Sequence, residues 1–337
     1  MRPVVRLAAV AAVAGLFLAP VSAASWGNTG HRIVGVLAVE ALADEVPAFL
    51  RGRQAMADMG EYAREPDRSK GAGKVHDSNR DPAHFVDIDD QGRVLGGPPF
   101  AEMQPTRADY ETALRAAGVD AWKAGYLQYS IVDGYQQLVK DFAYWRVLAA
   151  AEKAARGERK AWYRRDRIRR ERLLAANLAD LAHFVGDGSQ PLHVSVHYNG
   201  WGDYPNPKGY TKDRIHGPFE GAFVKGAVTI DMVRLKMTPL AVCDCPIEAR
   251  TIGYLQRTLT FVDPLYAGWN AGDFRPGQAG GAGFAAERLA AGASELRDLI
   301  VEAWRASARA RVGWPEVSVA DVESGKADPY ESLLGAD

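Results

Sequence analysis

His183-Phe184-Val185-Gly186-Asp187, followed by Gln190-Pro191-Leu192-His193, decides how this chain is read. A His and an Asp four residues apart lie on one face of a helix, with about 5–6 Å between Cβ atoms, a gap that one metal ion can bridge. Pro191 ends that helix, so His193 turns back near its end. His216-Gly217-Pro218-Phe219-Glu220 repeats the four-residue spacing of an imidazole and an acid. One such pair is weak evidence, because helices often carry them on a solvated face. Two pairs with a third His between them are much stronger. Imidazole nitrogen with carboxylate oxygen and no thiolate is the donor set of a hydrolytic zinc site. Left unpaired inside an otherwise apolar helix, the same groups would be costly.

Outward from this core the patterning is helical. Apolar residues recur at threes and fours from Ile33 to Leu42, from Tyr126 to Ala155, from Leu173 to Val185 and from Phe284 to Arg311. Alternation of the strand type is scarce. The pattern predicts an all-α fold, one mainly helical domain from about Trp26 to about Trp314, with long loops at 64–106 and 194–215 and a flexible run at 277–283. Both long loops carry histidines or acids beside aromatic residues, which favours function over disorder. The polar tail at 315–337 is expected to be loosely held.

The 337 residues suit one large domain or two small ones, and 47% hydrophobic with 25% charged residues suits a packed core. A net charge of -1 marks neither nucleic acid nor membrane as a partner, so any such signal is local. Residues 1–25 have the layout of a secretory signal peptide: Arg2 and Arg6, a short apolar stretch from Leu7 to Leu18, then small residues ending at Ser25. The apolar run is too short to span a membrane, which takes about 20 residues. Cleavage after Ser25 would make Trp26 the N-terminus of a secreted or periplasmic protein with no stable membrane anchor; cleavage after Ala23 or Ala24 fits nearly as well. Cys243 and Cys245 would close a tight disulfide ring, and a structural or incidental role is expected. Between Lys153 and Arg172 ten Lys or Arg face three Asp or Glu. A phosphate-backbone groove is one reading of that excess. A solvated, salt-bridged helix is the better one.

With these residues in view, a family resemblance emerges. Trp26-Gly27-Asn28-Thr29-Gly30-His31 resembles the mature N-terminus of the zinc-dependent single-strand nucleases of the S-one/P-one type, which include the plant bifunctional nucleases. His84-Phe85-Val86-Asp87 resembles their second motif, and the 183–193 segment resembles their central motif closely. The resemblance runs from Trp26 to about Val224. It implies three zinc ions: one on Asp67, His84, His183 and Asp187, a second on the α-amino group and carbonyl of Trp26 with His31 and Asp187, a third on His193, His216 and Glu220. An α-amino group can ligate only after the leader is removed, which agrees with cleavage before Trp26.

Two departures stand out. The family usually ends its last motif in Asp, where this chain has Glu220, as the related bacterial zinc phospholipases C do. It also commonly places a Trp ahead of the acid represented here by Asp67, where Glu65-Pro66-Asp67 has none, so Asp77 and Asp81 compete for that role. His76 and His197 have no counterpart and read as loop or supporting residues. The resemblance further implies metal-assisted hydrolysis of single-stranded DNA or RNA to 5′-phosphate products, with 3′-nucleotidase activity as a companion. Asp67 would orient the attacking water and Lys70 would bind phosphate. Phe85 would stack on a nucleobase while Asp87 reads its edge, although a core Phe and a solvated Asp is a nearly equal reading. The main alternative is a phospholipase C acting on phospholipid head groups, favoured by Glu220 and the 204–210 loop. A metal-storing protein without turnover is a further one.

Overall fold

The computed structural model describes residues 26–243 and 245–335, so the expected leader at 1–25 lies outside the described residues. Among these residues helices supply nearly all regular structure. The chain opens with α1 (Gly27–Glu40), α2 (Arg53–Tyr62), α3 (Glu65–Arg68) and α4 (Lys74–Arg80). It continues through α5 (Arg107–Ala116) and α6 (Ala121–Ala124) to the two longest helices, α7 (Leu127–Ala154) and α8 (Gly157–Gly188). Short α9 (Val224–Ala227) and α10 (Ile230–Arg234) lead to α11 (Ile247–Leu259), α12 (Val262–Ala271) and α13 (Ala279–Ser307). The only sheet among the described residues pairs β1 (Arg311–Val312) antiparallel with β2 (Val317–Ser318), before α14 (Val319–Glu323) and α15 (Tyr330–Leu334).

A link of only Ala155 and Arg156 turns α7 into α8, and the two pack closely on each other, as a short connection between helices requires. Helix α13 packs on α1, α7 and α8. The two ends of α8 live in different surroundings. From Leu178 to Gly188 every residue but Asp180 is buried, whereas Arg164, Arg165, Arg169 and Arg172 are exposed. The basic run therefore forms the solvent-side half of the helix whose other half crosses the core. Arg159, Arg167, Arg169 and Arg170 of this run pair with Asp328, Glu152 and Glu171, Asp166, and Asp141. That is the salt-bridged surface expected of it.

Several expectations are corrected. The 64–106 loop contains α3, α4 and a 3-10 turn at Asp81–His84, and helix α13 begins inside the glycine run, at Ala279. The segment after Trp314 is not loose. Val317, Val319 and Val322 are buried with Val312 against Ala143 and Val147 of α7. Three valines at that spacing carry enough apolar surface to hold a short segment down, about 1.5–3 kcal/mol for each fully buried side chain. Cys243 and Cys245 form a disulfide at the exposed surface. Beside it, the Cys243 amide donates to Glu302, and Arg250 bonds Glu295 and Glu302 of α13. This places the disulfide in a loop strapped to α13, remote in character from the histidine cluster. No helix among the described residues is long and apolar enough to cross a membrane.

Candidate metal centre

Five histidines and three acids drawn from distant parts of the chain meet at the buried end of α8. His183 and Asp187 project from one face of that helix, their Nε2 and Oδ2 atoms 3.3 Å apart. His31 of α1 approaches from one side, Nε2 to Asp187 Oδ1 3.5 Å, with its ring stacked on His183 at 3.9 Å between centroids. Asp67 of α3 lies 3.8 Å from His84 Nε2, 3.9 Å from His183 Nε2 and 4.0 Å from His31 Nε2. Beyond Asp187, His193 and His216 face each other through Nε2 atoms 3.1 Å apart, and Glu220 Oε2 lies 3.5 Å and 2.9 Å from them. Three groups thus have ligand atoms within 4.8 Å of one another: His31, His183 and Asp187; Asp67, His84 and His183; His193, His216 and Glu220.

Local sequence explains how the rings come so close. Gly186 sits between His183 and Asp187 because a Cβ there would lie 3.0 Å from His31 Nδ1. Gly30 is required one residue before His31, since its Cβ would fall 2.8 Å from Trp26 Cβ. Trp26 itself is fully buried, and its indole N–H donates to Ser189 Oγ at 2.9 Å, anchoring the start of α1 to the end of α8. The Gln190 side chain caps the Pro191–His193 turn by accepting from the Leu192 amide at 2.7 Å. Its amide nitrogen donates to Glu220 Oε2 at 3.1 Å, which ties the two halves of the third group together.

The ring orientations carry the chemistry. His84 Nδ1 lies 2.9 Å from the Arg80 carbonyl, His183 Nδ1 2.8 Å from that of Ala63, and His193 Nδ1 2.7 Å from that of His84. A backbone carbonyl on Nδ1 fixes the proton there and aims Nε2 inward, the arrangement that supports metal-ligating histidine. At the centre, His84 Nε2, both Asp187 oxygens and Glu220 Oε1 are buried without a hydrogen-bond partner. Buried polar atoms are rarely left so. Cations held in the three ligand groups would satisfy them, so the donors fit metal ions.

The charge balance points the same way. Burial pushes Asp187 up, but His183 and His193 outweigh it and hold the carboxyl well below its usual range. Burial pulls His193 down, yet Asp187 and Glu220 raise it to about 9. His183 is raised by Asp187 in the same way, while burial and then His183 lower His31, and burial above all lowers His84 to about 3. The buried carboxylates therefore favour positive charge beside them, and they raise both His183 and His193.

A cavity of about 1050 Å³ opens onto this cluster, lined by His84, His193 and His216 on its floor. Lys70, Phe85 and Asp87 line it too, and Lys70 Nζ bonds Asp67 Oδ1 at 2.6 Å. Phe85 is half-buried and Asp87 buried, burial raising the Asp87 carboxyl well above its usual range. Asp77 and Asp81 reach the cavity wall but do not join the ligand groups; the Asp77 carboxylate accepts from the Gly71 amide at 3.1 Å instead. His76 contacts Asp77, and His197 spans Asp90 and the Trp201 carbonyl, both away from the ligand groups. Tyr204, of the 204–210 loop noted in the sequence, lines the cavity too, as do Trp122, Lys123 and Tyr198, which were not singled out from sequence. The only signal of Trp122 and Tyr198 is an aromatic residue in a polar stretch, which does not separate a core side chain from an exposed one, and Lys123 reads as one more surface charge.

A family model described as S1/P1 nuclease matches residues 26–205, more than half of the chain. No curated protein matches it. The matched span holds the first two motifs and the whole central motif, His183 to His193, that the geometry gathers. The chain belongs to the S1/P1 nuclease family, zinc-dependent hydrolases of the phosphodiester bonds of nucleic acids.

Proposed function

We propose that this protein is a three-zinc endonuclease that cleaves single-stranded DNA and RNA to 5′-phosphate products, with accompanying 3′-nucleotidase activity. The observation that carries the reading is the set of three ligand groups, joined through Asp187 and His183, on the floor of a cavity whose wall presents Phe85 and Asp87. Asp67, His84, His183 and Asp187 would hold one zinc; His31, Asp187 and the N-terminal Trp26 a second; His193, His216 and Glu220 the third. Zinc bound there supplies Lewis acidity toward the phosphate and a lowered pKa for water.

The remaining work falls to the chain itself. Asp67, held ionised because His183, Lys70 and His31 outweigh its burial, is placed to accept a hydrogen bond from the attacking water and so orient it. Lys70 neutralises Asp67 and offers its ammonium to a phosphate oxygen at the cavity edge. Phe85 supplies a stacking face, which tolerates any base and is worth about 1–3 kcal/mol. Duplex stacking hides such faces, so unpaired strands are the preferred substrate. Export and removal of residues 1–25 would free the Trp26 amino group, and the family match beginning at Trp26 supports that site of maturation.

The test is side-by-side turnover of the mature zinc-loaded enzyme on single-stranded DNA, RNA and phosphatidylcholine, with Phe85→Ala alongside. Cleavage of nucleic acid, weakened by Phe85→Ala, is expected. Cleavage of phosphatidylcholine with nucleic acid untouched would replace this reading with the phospholipase one.

A further inference from the structure

Trp122 is large, apolar and 49% exposed at the mouth of the cavity. An exposed tryptophan on a loop could simply be mobile surface, but this one is built on a braced backbone. Asp120 caps α6 by accepting from the Trp122 amide at 2.9 Å. The segment after it is strapped to the extended chain after Phe85: Asp87 N–H donates to the Ala124 carbonyl at 2.9 Å, and Leu127 N–H to the Phe85 carbonyl at 3.0 Å. The Tyr110 hydroxyl closes the strap by donating to the Gly125 carbonyl at 2.8 Å. Gly125, at φ +70°, lies so near Phe85 that an added Cβ would sit 2.2 Å from its carbonyl oxygen. Trp122 and Phe85 are therefore carried by one rigid unit while presenting separate faces to the same cavity.

The Trp122 ring packs against no other aromatic ring among the described residues. Lys123, the next residue, is exposed and makes no ion pair among them. Tyr198 and Tyr204 are 46% and 38% exposed across the same opening. At about 1050 Å³ the cavity matches the upper end of single-ligand pockets, which run to about 1,000 Å³, so one nucleotide does not fill it.

We propose that Trp122 is a second stacking platform, binding the base of a nucleotide neighbouring the one that Phe85 and Asp87 receive, with Lys123 beside it for the intervening phosphate. The substrate the cleft is built for is then a strand of at least two nucleotides. This rests on the nuclease reading, and the experiment separates the two. The zinc-loaded mature enzyme is assayed on a short single-stranded oligonucleotide with one cleavable linkage, the others being phosphorothioate. An abasic residue is then moved through each position, for the wild type, Trp122→Ala, Trp122→Phe and Phe85→Ala, with zinc content and Tm measured for each.

Trp122→Ala should weaken apparent affinity for the intact strand about 5- to 150-fold, as loss of one stacked base does, with zinc content retained and Trp122→Phe recovering most of the loss. One abasic position should be non-additive with Trp122→Ala, and a different one with Phe85→Ala. Additivity of Trp122→Ala at every position, or unchanged affinity for the intact strand, overturns the platform while leaving the nuclease reading in place. Coupling of both variants to the same position makes Trp122 a wall of the Phe85 pocket and overturns the second subsite. A wild type that cleaves no nucleic acid overturns both readings.

Discussion

Gly186→Ala sets two effects of opposite sign against each other at the centre of the site. In the interior of a helix, Ala is favoured over Gly by about 1 kcal/mol, so α8 by itself should gain stability. The new Cβ, however, would lie 3.0 Å from His31 Nδ1 and 3.3 Å from its Cε1. Ordinary contact begins near 3.4 Å, so the imidazole must retreat by about 0.4 Å, roughly twice the ~0.2 Å that a metal–ligand distance tolerates. The ring cannot slide aside freely, because it stacks on His183 at 3.9 Å and is itself fully buried. Displacing a ligand through its support typically lowers metal affinity about 10- to 100-fold. The expected signature is therefore split: the metal-free variant melts at or above the wild-type Tm, while zinc affinity, read by competition with a chelator, falls by one to two decades. A variant that binds zinc as the wild type does would show that His31 is not held where a metal needs it, and would refute the reasoning.

Three further outcomes follow from the same cluster. Zinc ligates neutral imidazole, so binding at pH 7 should release a proton from His193, counted by calorimetry in buffers of different ionisation enthalpy; no release would contradict the charge balance. A His raised from about 6.5 to about 9 stabilises the metal-free fold fully below the lower value and ceases to as pH rises through the upper one, so the Tm of chelated protein should drop between pH 6.5 and 9.5. The zinc-loaded protein should not share that drop. Finally, a mature chain carrying one extra residue ahead of Trp26 lacks the α-amino ligand, and metal analysis should give two zincs in place of three; three retained would remove Trp26 from the ligand set.

The helical class of the fold was legible because the long helices are strongly periodic: the pattern over Tyr126 to Ala155 lies within a residue or so of α7. Part of the candidate ligand cluster was legible as well, because four-residue spacing on one helix turns sequence distance directly into spatial distance, as with His183 and Asp187. Short helices such as α3 and α4 were missed, since one or two turns carry no period to detect. The tail was misjudged because Val317, Val319 and Val322 bury against α7, a partner more than 160 residues earlier in the chain. Which acid completes the first group, Asp67 rather than Asp77 or Asp81, depends on how α3 packs on α8, and all three look alike in sequence. The same holds for Trp122. Residue type and spacing determine which groups can ligate or stack, because those are properties of side chains on a local backbone. Which of them converge, and which are left facing an open cavity, is decided only when distant elements pack, since exposure and long-range distance belong to the folded chain alone.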